Sequence, residues 1–337
     1  MKKIFLNTTI PDLKNAGSKA KADVAQILKK MGYESVYYPK FNSFAELTTF
    51  WKTLSKKIEK DSRIIMDYPY MPRKKLWILF AFAFLKRVKI HAVIHDITDL
   101  RFREAVQNSD MHLLKHFDGL ISHNPTMTKW IREKGYKKPV VDLMVFDYCL
   151  DGDKAFNENH LSGRIKVLYA GNLSFAKASF LYDERLNQLN NIEFCVFGMS
   201  HDPERLAATK ISYKGVFNPD SPELPEKYHF GLIWEGGSIE TCTGEMGQYT
   251  KFNNPHKFSL YLALGLPIIA WKESAVGKYL EEHKLGVTIG SLLELEGIEK
   301  RITQEDYQRY ISNIKTIGHK VRTGEFLQTA VQKLLTD

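Results

Sequence analysis

Lys257 is a cation in an unexpected place. It lies two residues after Pro255, where a helix is expected to begin. Proline is pre-set for the first helical turn, and Asn254 before it can cap the free amides. Outward-pointing N–H groups and the helix dipole make such a start an anion site, while the dipole alone disfavours a lysine there. A phosphate-bearing ligand held jointly by the amides and Lys257 resolves the conflict. The alternative is a solvated lysine on an exposed turn. A second candidate is the pair His95-Asp96, expected at the end of a strand. There an imidazole or carboxylate facing a cleft can take a proton from a hydroxyl. For Asp96 the competing reading is a cap on the next helix; Asp67 and Asp23 are the next candidates for a base.

These side chains need elements to hold them. Residues 249–271, YTKFNNPHKFSLYLALGLPIIAW, read as a loop, a helix and a buried strand. Phe258, Leu260, Tyr261, Leu262 and Leu264 form an apolar surface, and Ser259 and Ala263 give small faces for close approach. Gly265 is expected to end the helix in a left-handed cap before Pro267 opens the strand. Upstream, four expected strands in succession run into glycine. Tyr169-Ala170 leads to Gly171-Asn172-Leu173 and then Lys177, Phe197 to Gly198, Tyr213 to Lys214-Gly215, and Trp234 to Glu235-Gly236-Gly237. Ligands of doubly wound sheets bind beyond the carboxyl ends of strands, and glycines there let backbone come close to them. In the first half, Thr8-Thr9, Asp67 and His95-Asp96 end strands. The segment 15–19, Asn-Ala-Gly-Ser-Lys, lacks GxGxxG spacing, and GxxxxGK[ST] is absent, so NAD and P-loop chemistry are disfavoured. No acidic pair stands at a strand end of the second half, which argues against a metal ion.

The 337 residues suggest two domains. Strands are expected over 3–6, 35–38, 63–67, 89–95, 119–122 and 140–143, with helices over 18–30, 44–60, 76–85, 110–117 and 126–134. This alternation predicts a parallel sheet covered on both faces. Residues 151–164 are polar and aperiodic and read as the linker. The pattern restarts with strands over 165–170, 193–197, 211–214 and 230–234 and a helix from about 179. Helices over 304–317 and 324–335 close the chain, the last expected to cross back onto the first domain. The domains are therefore expected over 1–155 and 156–320, with the returning helix in 321–337.

Composition is ordinary globular, 44% hydrophobic and 26% charged. The net charge of +9 suits a partner bearing phosphate. The excess is spread along the chain without a basic and aromatic cluster, so no nucleic-acid partner is expected. Three scattered cysteines, Cys149, Cys195 and Cys242, form neither a disulfide frame nor a zinc site and fit a reducing cytoplasm. No signal peptide is read at the N-terminus. The run 76–85, LWILFAFAFL, is about half the length of a membrane crossing. Flanked by Arg73, Lys74, Lys75, Lys86 and Arg87, it is either a buried helix with charged ends or an interfacial helix on anionic lipid. The second reading would place the protein peripherally at the inner face of the membrane.

The combination of WEG, C.G..GQYTKFNNPHKFSLYLALGLPIIAW, YAGNLS and IHDITDLR with LISHNPTM resembles bacterial GT-B glycosyltransferases. Within them it is most similar to the group of adhesin glucosyltransferases and galactofuranosyltransferases, over nearly the whole chain. The resemblance implies two Rossmann-like domains facing across a cleft, and a hexosyltransferase using a UDP-sugar with no cofactor and no metal. It implies a donor nucleotide site in the second domain, on Lys257, Asn253, Asn254, His256, Ser259, Tyr249, Gly171, Asn172, Lys177, Gly198 and Tyr213. It implies an acceptor site in the first, with Thr9, Gly17, Ser18 and Lys19 as candidates and Asp96 or His95 as the catalytic base of an inverting displacement. The acceptor would be a glycan, a lipid-linked glycan or a protein. Dimers or tetramers occur in the group. A non-catalytic partner subunit of a glycosylation complex and a nucleotide-sugar epimerase are the rival readings.

Overall fold

The computed structural model describes residues 2–7, 16–37, 44–69, 73–102, 109–150, 155–157 and 159–336. The chain divides into two units. The first holds residues 1–13, 20–144 and 326–337; the second holds 14–19 and 145–325. The division after Met144 precedes the expected linker, and the first turn of the Ala16–Lys30 helix counts with the second unit.

In the first unit, β1 (Lys3–Asn7), β2 (Glu34–Tyr37), β3 (Arg63–Tyr68), β4 (Lys89–Ile94), β5 (Gly119–Ser122) and β6 (Val140–Asp142) form one parallel sheet in the order β2-β1-β3-β4-β5-β6. Parallel strands need crossovers, and the helices Ala16–Lys30, Phe44–Lys57, Arg73–Lys86 and Pro125–Glu133 supply them. Ile64, Ile65 and Met66 of β3 and Ala92, Val93 and Ile94 of β4 are fully buried, as strands covered on both faces must be. The expected helix over 110–117 is a single turn, Met111–Leu114. The helix Glu325–Thr336 belongs to this unit from Phe326 onward. Arg63 donates to the Leu335 carbonyl at 3.1 Å, and Leu334 lies so near Gly119 that a Cβ there would meet it at 2.8 Å.

The second unit carries β7 (Ile165–Ala170), β8 (Ile192–Phe197), β9 (Ser212–Tyr213), β10 (Phe230–Ile233), β11 (Ile268–Trp271) and β12 (Gly286–Ile289). All are parallel, in the order β12-β11-β10-β7-β8-β9. The helix expected from about 179 is instead a short helix, Phe175–Ala178, followed by 3₁₀ turns over Ser179–Tyr182 and Glu184–Gln188. Phe180 and Leu181 are both buried, and Asp183 interrupts the helix by accepting from the Arg185 amide.

The organising helix runs His256–Leu264, and Pro255 holds the cap position in extended conformation at φ −68° and ψ 146°. This moves the start one residue beyond expectation and takes the cap position from Asn254. Gly265 closes the helix at φ 81°, as expected. Tyr261 fixes the helix to the sheet. Its ring lies flat on Gly231 of β10, where a Cβ would come within 2.4 Å. Its hydroxyl accepts from the Ala170 amide at 2.9 Å and donates to the Leu232 carbonyl at 3.2 Å. That bridges β7 and β10, one helical turn from Lys257.

Candidate active site

The strand order of the second unit reverses between β7 and β10, the switch point at which open α/β sheets receive ligands. Lys257 is held there. Its Nζ lies 2.7 Å from Oε1 of Glu235, which follows β10, and 4.0 Å from the ring centroid of Tyr169 on β7. The Lys257 and Glu235 side chains are only 10% and 14% exposed, which excludes the solvated-lysine reading. An ammonium has three donors, and a carboxylate and a ring face leave capacity for another anionic oxygen. Burial pushes the Tyr169 phenol well up, so it stays neutral beside the ammonium. Gly171 adjoins the cation: a Cβ there would stand 3.7 Å from Nζ.

The other glycines divide by role. Gly198, at φ 153°, would drive a Cβ to 1.7 Å from the Gly171 carbonyl oxygen, and Gly236, at φ 101°, to 2.2 Å from that of Thr243. Both are therefore demanded by the protein's own backbone, a correction to the reading that the whole set opens toward a ligand. Gly215 faces open space. The Gly236 amide donates to the Lys177 carbonyl at 3.3 Å, joining the loops after β7 and β10. The half-buried Lys177 has no carboxylate partner among the described residues. Asn172 accepts from the Ser174 amide at 2.8 Å. Tyr213 donates to the Gly198 carbonyl and stacks on His201 at 4.0 Å.

The NNPHK segment splits between surface and core. Asn253 keeps a buried Oδ1 with no hydrogen-bond partner among the described residues, an acceptor available to a ligand. Asn254, Tyr249 and Ser259 are buried, so they pack the base of the site. His256 stacks on Tyr148 at 4.9 Å. Lys19, expected on the acceptor side in the first domain, lies instead in the second unit. Buried there, it donates to the Cys149 carbonyl at 2.6 Å, pairs with Asp220 at 3.2 Å and lies 5.1 Å from the Tyr148 ring centroid. Gly17 and Ser18 share its helix; Thr9 lies outside the described residues.

In the first unit, His95 follows β4, and its Nε2 lies 2.7 Å from Oδ1 of Asp67 at the end of β3. Asp67 is almost fully buried and His95 is 11% exposed. Donation of Nε2–H to the carboxylate sets the ring's tautomer, the arrangement of a histidine with an orienting partner. Asp96 accepts from Arg101 at 3.2 Å and is 38% exposed. It does not cap the turn Thr98–Arg101, since Ile97 holds the cap position and the Thr98 amide turns to Asp110. Burial, with the neighbouring His95 second, pushes His123 down to about 3, so it is neutral near pH 7. Asp110 receives Tyr68 at 2.7 Å and Arg73 at 2.9 Å, tying β3 to the next helix. Asp23 is buried in the Ala16–Lys30 helix.

Sequence reasoning did not place Glu235, Tyr169 or Tyr261 in the binding site; it gave Tyr261 only a packing role. The one available signal was that Glu235 is the only carboxylate directly after a glycine-rich strand end. Among the described residues, one cluster, Glu193, Cys195 and Glu226, has metal-like spacing. It sits on the flank of the sheet. Glu226 is already paired with Lys166 and Lys214, and burial pushes the Cys195 thiol up to about 12, so the cluster is a poor ligand set.

Residues 3–145 match the N-terminal domain, and 167–334 the C-terminal domain, of the family described as glucosyltransferase 3-like. The β-1,6-galactofuranosyltransferase WbbI of Escherichia coli K12 is 34% identical over 347 aligned positions, covering 99% of this chain and 98% of that protein. Glucosyltransferase 3 of Streptococcus gordonii is 27% identical over 128 residues, 38% of this chain and 37% of that protein. Among solved structures, the apo lipopolysaccharide outer core galactosyltransferase WaaB gives a TM-score of 0.63 at 11% identity, over 99% of both chains. Anabaena HepE in complex with UDP and glucose gives 0.60 at 15%, over the whole of both. Together with the two parallel six-stranded sheets, these define a glycosyltransferase of the two-domain GT-B fold. The chain belongs to the glucosyltransferase 3-like family. No helix of the described residues is long and apolar enough to cross a membrane.

Proposed function

We propose that this enzyme transfers a hexosyl unit, glucose or galactofuranose, from a UDP-sugar to a hydroxyl of a glycan, glycolipid or glycoprotein, with inversion and without a metal ion. The observation that carries the donor assignment is the ammonium of Lys257 at the β7/β10 switch point, beside Gly171 and the start of a helix. A diphosphate docking there meets helix amides and a positive charge together. Its leaving oxygen is stabilised as the glycosidic bond breaks, the work a metal does elsewhere. The bound UDP and glucose of HepE and the name of WbbI support the donor class.

In the first unit, His95, held by Asp67, takes the proton of the acceptor hydroxyl as that oxygen attacks the anomeric carbon. The buried carboxylate fixes the ring's tautomer and stabilises the imidazolium that forms. Asp96, held by Arg101 and more exposed, is the second candidate for the base. The test is UDP release from a panel of UDP-sugars, with and without glycan acceptors. Acceptor-stimulated release from one or two donors is expected. No release and no thermal shift with any donor would make the protein a binding module, and conversion of the donor sugar without acceptor would make it an epimerase.

A further inference from the structure

The helix Arg73–Lys86 of the first unit is apolar on two opposite faces. Leu76, Leu79, Phe82 and Ala83 are buried, and Phe82 meets Trp51 of the helix Phe44–Lys57 edge-on at 5.1 Å. This answers half of the sequence question, because the helix does contribute to a core. Half a turn away, Trp77, Phe84 and Leu85 are 46%, 84% and 68% exposed, with exposed Ala81 between them. These positions recur at helical spacing, so they form one continuous stripe. A helix on a protein surface ordinarily turns polar residues outward, and scattered apolar side chains need no explanation, but a stripe does. His116 widens it, packing on Trp77 at 4.6 Å and on Phe80 at 5.3 Å.

The polar residues of this helix lie only at its ends, and all are cationic: Arg73 (paired with Asp110), Lys74 and Lys75 at one, and Lys86 at the other, followed by Arg87 and Lys89 beyond it. No acidic residue stands anywhere between Asp67 and Asp96. We infer that this face docks on an anionic lipid bilayer, with the helix axis in the plane of the surface. Trp77, Phe84 and Leu85 enter the boundary between head groups and acyl chains, and Lys74, Lys86 and Arg87 meet the head groups. Charge selects this occupant over a second copy of the chain: paired parallel or antiparallel, two such helices bring cations against cations at both ends. The inference stands on the first unit alone and is separate from the transfer chemistry. Its consequence is that the enzyme meets acceptors carried at a membrane.

The experiment is co-sedimentation of the full chain with vesicles of phosphatidylcholine, with and without phosphatidylglycerol, at low and high salt. Binding is expected only to the anionic vesicles and is released by salt. Phe84→Ser with Leu85→Ser is expected to lower partitioning on the order of 100-fold, from the apolar area withdrawn from lipid. Because both side chains are exposed, melting temperature and UDP release with a soluble acceptor stay unchanged. The inference is overturned by any of three results: no binding to anionic vesicles at low salt, equal binding to neutral ones, or binding indifferent to the double substitution. It also fails if sedimentation equilibrium shows an oligomer that the double variant dissociates, since the stripe is then a contact between copies.

Discussion

Replacing Lys257 with alanine removes one charge and strands another. Glu235 is 14% exposed and its carboxylate lies 2.7 Å from the lysine, so the variant leaves a nearly buried anion without its partner. Breaking such a pair from one side costs about 3–5 kcal/mol when burial is complete. The partial opening at the strand ends puts the expected loss of stability at about 2–3 kcal/mol. Separately, loss of a charge-assisted contact to the diphosphate is expected to weaken UDP by about 1.5–3 kcal/mol, or about 10- to 150-fold. The two losses are separable. Lys257→Ala combined with Glu235→Gln removes the stranded charge while keeping the side chain's shape, and is expected to recover most of the stability and none of the affinity. Denaturant melts and calorimetric UDP titrations of wild type, single and double variants measure both quantities. If the double variant recovers UDP affinity together with stability, Lys257 is a structural residue and the phosphate assignment is wrong.

Three further outcomes are expected. His95→Gln should lower turnover by roughly 10²–10⁴ at saturating donor and acceptor with UDP affinity unchanged, and Asp67→Asn should lower it in the same direction. Asp96→Asn should change turnover little; the opposite ranking in the same assay would move the base to Asp96. The depressed His123 makes stability depend on pH. Between the unfolded value near 6.5 and the folded value near 3 the unfolded chain binds the extra proton, so stability falls as pH falls through that window. Its share is about 2 kcal/mol between pH 7 and pH 5, which His123→Gln should remove from the difference between denaturant melts at the two pH values. Finally, turnover should survive EDTA, and a loss restored only by a divalent ion would refute the metal-independent reading.

The sequence by itself determined most of the fold. Eleven of the twelve strands follow from apolar runs or neighbouring punctuation of the kind seen at residues 165–170, because a strand buried on both faces leaves a short hydrophobic segment that local pattern reveals. Only β12, with its half-buried Gly-Val-Thr, carried too weak a pattern to be read. Lys257 and His95 were legible for the same local reason, one as a cation at the wrong end of a helix, the other as a titratable group at a strand end. What each residue touches was decided by tertiary structure. Glu235 is 22 residues from Lys257 and Asp67 is 28 from His95, separations that no helical or strand period connects. Strand order makes Asp67 and His95 neighbours by setting β3 against β4, while the packing of Tyr261 on Gly231 brings Lys257 to the end of β10 beside Glu235. The same holds for the glycines: whether Gly198 serves a ligand or the carbonyl of Gly171 depends on a backbone approach that exists only once β7 and β8 are paired. The run at 76–85 shows the limit from the other side. Its composition is apolar throughout, and only packing separates the face that builds the core from the face left at the surface.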